Sequence, residues 1–251
     1  MNADLARVEL LSLDAGNTII FLDHARLARI ARGAGFDVTA ETLVRCEGTA
    51  KRALSPENAA DGALVEVAWT HRDAPGARGW GVMMATIFAC AGVQIPALPA
   101  LVDRLWSEHV ELNLYSKVPE GFRDAMHALR ATGVKIAVVS NSEGMLDALF
   151  AKLGIIDCFD AVIDSGKFGV EKPDPRIFEI ACERTQTTLE HTLHLGDTIA
   201  TDVDGARSAG ARAMLIDPFG HYEGRYPDVP RAAGAVEIAR EIVACRDRTK
   251  R

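Results

Sequence analysis

The chain has 251 residues, 48% of them hydrophobic and 25% charged, with a formal net charge of −7. So much apolar material excludes a disordered chain and supplies one large or two smaller cores. The acidic balance excludes a nucleic-acid binder held by phosphate contacts, because no basic excess is present.

The opening MNADLARVEL carries acids and lacks the apolar stretch of a signal peptide. A first strand is predicted over Val8–Leu13, ending at Asp14. From Asp23 to Asn113 the pattern is helical, with a polar, Gly- and Pro-bearing loop over 61–79. Nothing between Arg78 and Asp103 is charged, but Pro96, Pro99 and several glycines break the run. A buried helix, a turn and a second helix explain it better than a bilayer crossing. Residues 23–113 are therefore expected to form a helical domain, inserted into a core made of 1–22 and 114–251.

The turn Lys117–Gly121 marks the return to the core. Strands predicted at Val134–Ser140, Ala161–Ile163, Thr192–Leu195 and Ala213–Ile216 alternate with helices at Gly121–Ala131, Met145–Leu153, Asp174–Arg184 and Asp202–Ala209. Gly133, Gly154 and Gly210 stand where left-handed caps close three of these helices. Strands apolar on both faces, alternating with helices, give an α/β fold with a Rossmann-like parallel sheet. Ligands bind such sheets at the carboxyl ends of the strands. From about His221 the tail is polar and yields no element. Cys46, Cys90, Cys158, Cys182 and Cys245 are odd in number and form no CxxC pair, so free thiols in a reducing, cytoplasmic setting are expected.

The predicted strand ends collect reactive side chains. Asp14 opens Asp14-Ala15-Gly16-Asn17-Thr18, and another strand ends in Ser140-Asn141-Ser142. Lys172 lies in a loop from Gly169 to Pro175, and Gly196-Asp197 is followed by Asp202. Taken singly, Ser140 and Asp202 read as helix caps and Asp14 as a turn residue. Together, a carboxylate, a hydroxyl, a lysine and an acid pair on one sheet edge can hold Mg²⁺ and a phosphate.

On these motifs the sequence resembles the haloacid dehalogenase superfamily of hydrolases, over nearly the whole chain. Asp14 and Thr18 match the nucleophile motif, and Val138-Val139-Ser140-Asn141 the second. The run Gly169 to Phe178 matches Gly-x-x-Lys-Pro-Asp-Pro-x-Ile-Phe without a gap, and Gly196, Asp197, Asp202, Gly205-Ala206 and Ala209-Gly210 match the fourth motif. The resemblance implies an Mg²⁺-dependent phosphatase that acts on a small phosphorylated metabolite through an aspartyl-phosphate. Asp14 would be the nucleophile, Thr18 would orient its loop, and Lys172 would neutralise charge. Ser140 and the backbone N–H of Asn141, with Lys172, would grip the phosphate. Asp14, the Gly16 carbonyl, Asp197 and, through a water, Asp202 would hold the metal. The helical insert corresponds to the family's cap. Neither a nucleic-acid nor a membrane partner is implied, and the protein is expected to be a monomer or homodimer.

One position departs from the pattern. The family's phosphatases carry a second Asp two residues after the nucleophile, as general acid and base, and here that place is Gly16. Such help is worth roughly 10²–10⁴-fold in rate. Family branches that lack this Asp offer alternatives. Dehalogenases use no Mg²⁺ and typically replace the first acid of the fourth motif, whereas Asp197 and Asp202 are both present. Phosphonoacetaldehyde hydrolases use a cap lysine as a Schiff base, and Lys51 is the only lysine between Asp23 and Asn113; a lone cap lysine is usually solvated. A catalytically impaired binder of a phosphorylated ligand is a further alternative. Asp23 and His24, close after the first strand, are candidates for the acid, although a solvated helix start explains them better. His191 and His194 suit packing or exposure better than metal binding. Gly33-Ala34-Gly35 reads as a helix stop, and Trp69, Trp80, Phe88 and Trp106 as cap core or pocket lining.

Overall fold

The computed structural model describes residues 5–54 and 63–249. Its strands are β1 (Leu10–Leu13), β2 (Phe21–Leu22), β3 (Tyr115–Lys117), β4 (Lys135–Ser140), β5 (Ala161–Asp164), β6 (Thr192–Gly196), β7 (Arg212–Ile216) and β8 (Arg231–Ala232). Its α-helices are α1 (His24–Gly33), α2 (Ala40–Ala53), α3 (Ala77–Cys90), α4 (Leu98–Glu111), α5 (Phe122–Ala131), α6 (Leu146–Lys152), α7 (Ser165–Phe168), α8 (Pro175–Thr185), α9 (Asp204–Ala209) and α10 (Ala235–Thr249). A π-turn over Ile199–Val203 precedes α9.

Two compact units emerge. The first holds the described residues of Met1–Phe21, Lys117–Pro218 and Tyr226–Arg251, and is built on a six-stranded sheet in the order β5-β4-β1-β6-β7-β8. Every pairing in that sheet is parallel. All four residues of β1 are buried, which is why its run is apolar on both faces. Helix α8 packs on β4, and α10 lies along α5. Gly133, Gly154 and Gly210 take φ of 91°, 70° and 93°, the left-handed geometry that ends a helix. The polar tail does carry structure: α10 buries Ile238, Ala239 and Ile242 on one face, and β8 extends the sheet edge. A two-residue strand and a helix mostly exposed on its other face leave little periodic signal.

The second unit comprises the described residues of Leu22–Ser116 and Phe219–Arg225. Asp23 caps α1 by accepting from the Arg26 N–H at 2.9 Å. The Arg26 guanidinium, buried, donates to the Leu112 carbonyl at 2.5 Å, just past the end of α4, and to the Glu108 carbonyl at 3.0 Å, which also accepts the Leu112 N–H. Gly33 ends α1, as expected of a helix stop. Irregular chain runs from residue 63 to Gly76, and α3 then starts at Ala77, so the loop expected over 61–79 is shorter; its first two residues lie outside the described ones. Trp80 lies 5.1 Å from Trp106 and 6.0 Å from Trp69, all three buried, so these rings form the core of the unit. No helix among the described residues is long and apolar enough to cross a membrane.

Two expectations are corrected in this unit. Cys46 and Cys90 are paired as a disulfide with Cα atoms 5.5 Å apart, while Cys158, Cys182 and Cys245 are free and buried. The partners stand 44 residues apart, and only the packing of α2 on α3 brings them together. Nor is Lys51 solvated. It is 4% exposed, with Nζ 3.6 Å from Glu47 Oε1. Glu47, itself fully buried, accepts from His24 Nε2 at 2.8 Å. Residues 219–225 also lie in this unit. His221 Nε2 donates to the Val44 carbonyl at 3.1 Å, and Arg52 to the His221 carbonyl at 2.7 Å. A Cβ on Gly48 would stand 2.7 Å from the His221 ring, so a glycine is required for this approach.

Burial works against the Glu47 charge, yet Lys51 and His24 beside it hold its pKa down from 4.5 to about 2. A depressed carboxyl stabilises the fold fully above its unfolded value, and that contribution is lost as pH falls from about 4.5 through about 2, on the order of 3 kcal/mol. Glu47→Gln is expected to lower the melting temperature at neutral pH and to flatten the acid limb of the stability profile. Calorimetric melts of both proteins across that window check this, and parallel acid limbs would show that the buried cluster adds nothing.

Candidate active site

The carboxyl ends of β1, β4 and β6, with the loop that precedes α8, deliver the reactive groups, all within the first unit. Asp14 follows β1 directly, and its N–H donates to the Leu195 carbonyl at 2.8 Å, which fixes its backbone to β6. The chain then turns sharply: Ile20 N–H reaches back to the Ala15 carbonyl at 2.9 Å, and Asn17 takes φ of 54°. Asn tolerates that left-handed geometry better than most residues. Gly16 is half-buried and is not among the described residues with positive φ. Thr18 is fully buried, and its hydroxyl has no hydrogen-bond partner among the described residues.

Lys172 is the centre of the cluster. It is 4% exposed, and its Nζ donates to Asp14 Oδ1 and to Asp202 Oδ1, each at 2.6 Å. Its loop is clamped by the Asn141 side chain, whose Oδ1 accepts the Lys172 N–H at 2.7 Å while Nδ2 donates to the Lys172 carbonyl at 2.9 Å. Ser140, buried, ends β4 beside that clamp. The following loop is tied down by Asp164 at the end of β5. Its buried carboxylate accepts from the N–H groups of Gly144, Leu146 and Gly166.

Asp202 lies in the π-turn, the kind of helix defect that recurs at functional sites. Its Oδ2 accepts the Thr198 N–H at 2.9 Å, and its Oδ1 also receives His194 Nε2 at 3.3 Å. A Cβ at Gly196 would overlap the Asp202 carboxylate, so the glycine of that motif is a matter of space. His194 is fully buried and its Nδ1 lies 2.9 Å from Ser12 Oγ. His191, by contrast, is on the surface.

Electrostatics follow from this packing. Burial drives the Asp14 carboxyl up to about 7; Lys172 opposes that shift, and Asp202 and Asp197 add to it. Burial opposes the Lys172 charge, but Asp14 and Asp202 hold its pKa above the ordinary lysine value. Asp202, despite its burial, is held well below the usual carboxylate range by Lys172 and His194. Burial pushes the His194 imidazole down.

Carboxylate oxygens of Asp14, Asp197 and Asp202 all lie within 4.8 Å of one another. Three carboxylates around one lysine leave two formal negative charges, and the donors are hard oxygens. Both properties fit Mg²⁺, which takes oxygen ligands at low coordination flexibility. Sequence reasoning brought together Asp14, Ser140, Lys172, Asp197 and Asp202; it gave His194 only to packing or exposure, and it missed Ser12, Asp164 and the Asn141 side chain. Polar residues inside otherwise apolar strands, as in Leu-Ser-Leu and Leu-His-Leu, were the available signal for two of these.

A buried carboxylate paired with lysine beside an acid cluster, at the strand ends of a parallel sheet, suits a hydrolase built on an α/β core. The haloacid dehalogenase-like hydrolase family model matches residues 27–210, and the chain belongs to that family. Haloacid dehalogenase-like hydrolase domain-containing protein 3 of Bos taurus is 29% identical over 217 residues, 84% of this chain and 82% of that protein. A phosphoserine phosphatase of Thermus thermophilus is 28% identical over 248 residues, covering 92% and 95% of the two chains. The fold is shared with the HAD-hydrolase YfnB of Bacillus subtilis, solved bound to magnesium, at a TM-score of 0.66 and 19% identity over 94% of this chain and 99% of that one.

Removing the lysine tests the charge balance. Lys172→Met is expected to leave the carboxylates uncompensated and to cost about 3–5 kcal/mol, the usual penalty for breaking a buried pair. Urea unfolding with and without Mg²⁺ checks this, and millimolar Mg²⁺ should return part of the loss. Unchanged stability in metal-free buffer would rule out Lys172 as the compensating charge.

Proposed function

We propose that this hydrolase is an Mg²⁺-dependent phosphatase acting on a small phosphorylated metabolite through an aspartyl-phosphate on Asp14. The observation that carries the reading is the Asp14–Lys172 contact of 2.6 Å within the three-carboxylate cluster. The phosphatase among its relatives supports the substrate class. In this reading the helical unit, about residues 23–113, is the cap. A monomer or homodimer suits such a metabolic role.

An oxygen of Asp14 attacks phosphorus, and the bond to the leaving oxygen breaks. Water then attacks the phosphorus of the aspartyl-phosphate, releasing inorganic phosphate and restoring the carboxylate. Lys172 neutralises the approaching anions, and the Ser140 hydroxyl and Asn141 N–H hold the oxygens that do not transfer. Thr18 orients the nucleophile turn. Asp14, the Gly16 carbonyl, Asp197 and, through a water, Asp202 would hold Mg²⁺, which would supply further charge neutralisation. Lys51 lies in an ion pair with Glu47. Buried and engaged there, its amine is not presented to a ligand, so carbon–phosphorus cleavage is the weaker reading.

Mg²⁺ is expected to raise the melting temperature of the wild type, and Asp197→Asn to abolish the rise. Beryllofluoride with Mg²⁺ should bind the wild type tightly and Asp14→Ala far more weakly by calorimetry. Hydrolysis of a phosphomonoester panel should require both the metal and Asp14. Binding without turnover would instead favour a phosphate-ligand binder.

Gly16 leaves the departing group without an acid, so aryl phosphates should be hydrolysed faster than alkyl phosphates. Because Gly16 is half-buried and the left-handed residue is Asn17, a side chain at 16 meets no left-handed penalty. Gly16→Asp is expected to raise alkyl-phosphate turnover, by up to about 10²-fold, more than aryl turnover. Equal wild-type rates on both classes, with no gain in a folded variant, would place the proton donor elsewhere.

A further inference from the structure

We propose that Ser12 and His194 are positioning residues for the nucleophile, acting through Asp202 and Lys172; this rests on the phosphatase reading. Neither residue belongs to the motif strings that carry the family resemblance. They are register partners on β1 and β6, 1% and 0% exposed, so their polar atoms face each other inside the sheet. Ser12 Oγ stands 2.9 Å from His194 Nδ1, and His194 Nε2 stands 3.3 Å from Asp202 Oδ1. A carboxylate accepts only, so the proton lies on Nε2, and the Ser12 hydroxyl donates to the bare Nδ1. Phe178 meets the imidazole edge-to-face with centroids 5.0 Å apart, which fixes the plane of the ring.

The consequence falls on Asp202. Its Oδ2 is held by the Thr198 N–H, and its Oδ1 is shared between His194 and Lys172. Two fixed donors on one carboxylate leave it a single orientation. Lys172 then has one place from which to reach both Asp202 and Asp14. Without the imidazole, Asp202 can rotate toward Lys172 and draw the ammonium away from the nucleophile. The chain Ser12–His194–Asp202–Lys172–Asp14 is thus a rigid path from the sheet interior to the reacting atom.

The test uses the full chain with Mg²⁺ and an aryl phosphate. His194→Leu should lower kcat about tenfold or more while KM changes little, because the lost bond is to a charged group. His194→Gln keeps a donor near Nε2 and should recover most of the loss; Ser12→Ala should show a smaller kcat defect. A merely structural imidazole would not give this split or this rescue. Nitrogen-15 spectra of the metal-free wild type should show His194 protonated at Nε2, a readout that needs no turnover and no variant. An unprotonated Nε2 overturns the proposal. So does an active wild type whose folded His194→Leu variant is equally fast, or a Gln variant no better than Leu. A wild type that hydrolyses nothing on the panel overturns the phosphatase reading instead, and the nitrogen spectrum still decides the Ser12–His194–Asp202 chain.

Discussion

A single ammonium held between two buried carboxylates is the constraint on which the site depends. Lys172 reaches Asp14 and Asp202 at the same distance, 2.6 Å, from a loop that neither strand contains. Desolvating three acids at one sheet edge is costly, and without the lysine the cluster would repel itself apart. With it, a residual negative charge persists that suits a divalent ion. The same charge balance leaves Asp14 hard to ionise in the absence of metal, since burial and its two acidic neighbours outweigh Lys172.

Much of the surrounding structure serves to hold that ammonium in place. Asn141 clamps the Lys172 backbone from both sides, so the loop after β4 and the lysine loop move as one. Asp164 gathers three N–H groups of neighbouring turns and fixes the same β4 loop from beneath. Gly196 leaves room for Asp202 to approach β6 closely. Each device is a hydrogen bond or a missing Cβ, and each lies on a loop anchored by a parallel strand.

The departure at Gly16 separates two functions that usually travel together. Charge neutralisation needs Asp14, Lys172, Asp197 and Asp202, and all are present and gathered. Proton delivery to the leaving group needs a side chain at the turn, and there is none at Gly16. The nucleophile turn keeps its shape regardless, because its special backbone geometry falls on Asn17 and its bonds run between main-chain atoms. In the proposed phosphatase, the absence of that carboxyl bears on which leaving groups suit the site, while the turn itself stays intact.

The sequence by itself determined the parallel sheet, its strand ends and the identity of the four motif clusters, because these depend on local periodicity and fixed spacing. β1, β4, β6 and their helices fall within a residue or two of their apolar runs. Tertiary structure decided everything that joins residues far apart in the chain. It paired Cys46 with Cys90, drew residues 219–225 into the helical unit and folded the polar tail into α10. It also buried Lys51 against Glu47 and placed Ser12 opposite His194, 182 positions away. Spacing cannot announce such contacts, since a polar residue in an apolar run shows its partner only when the neighbouring strand is in register.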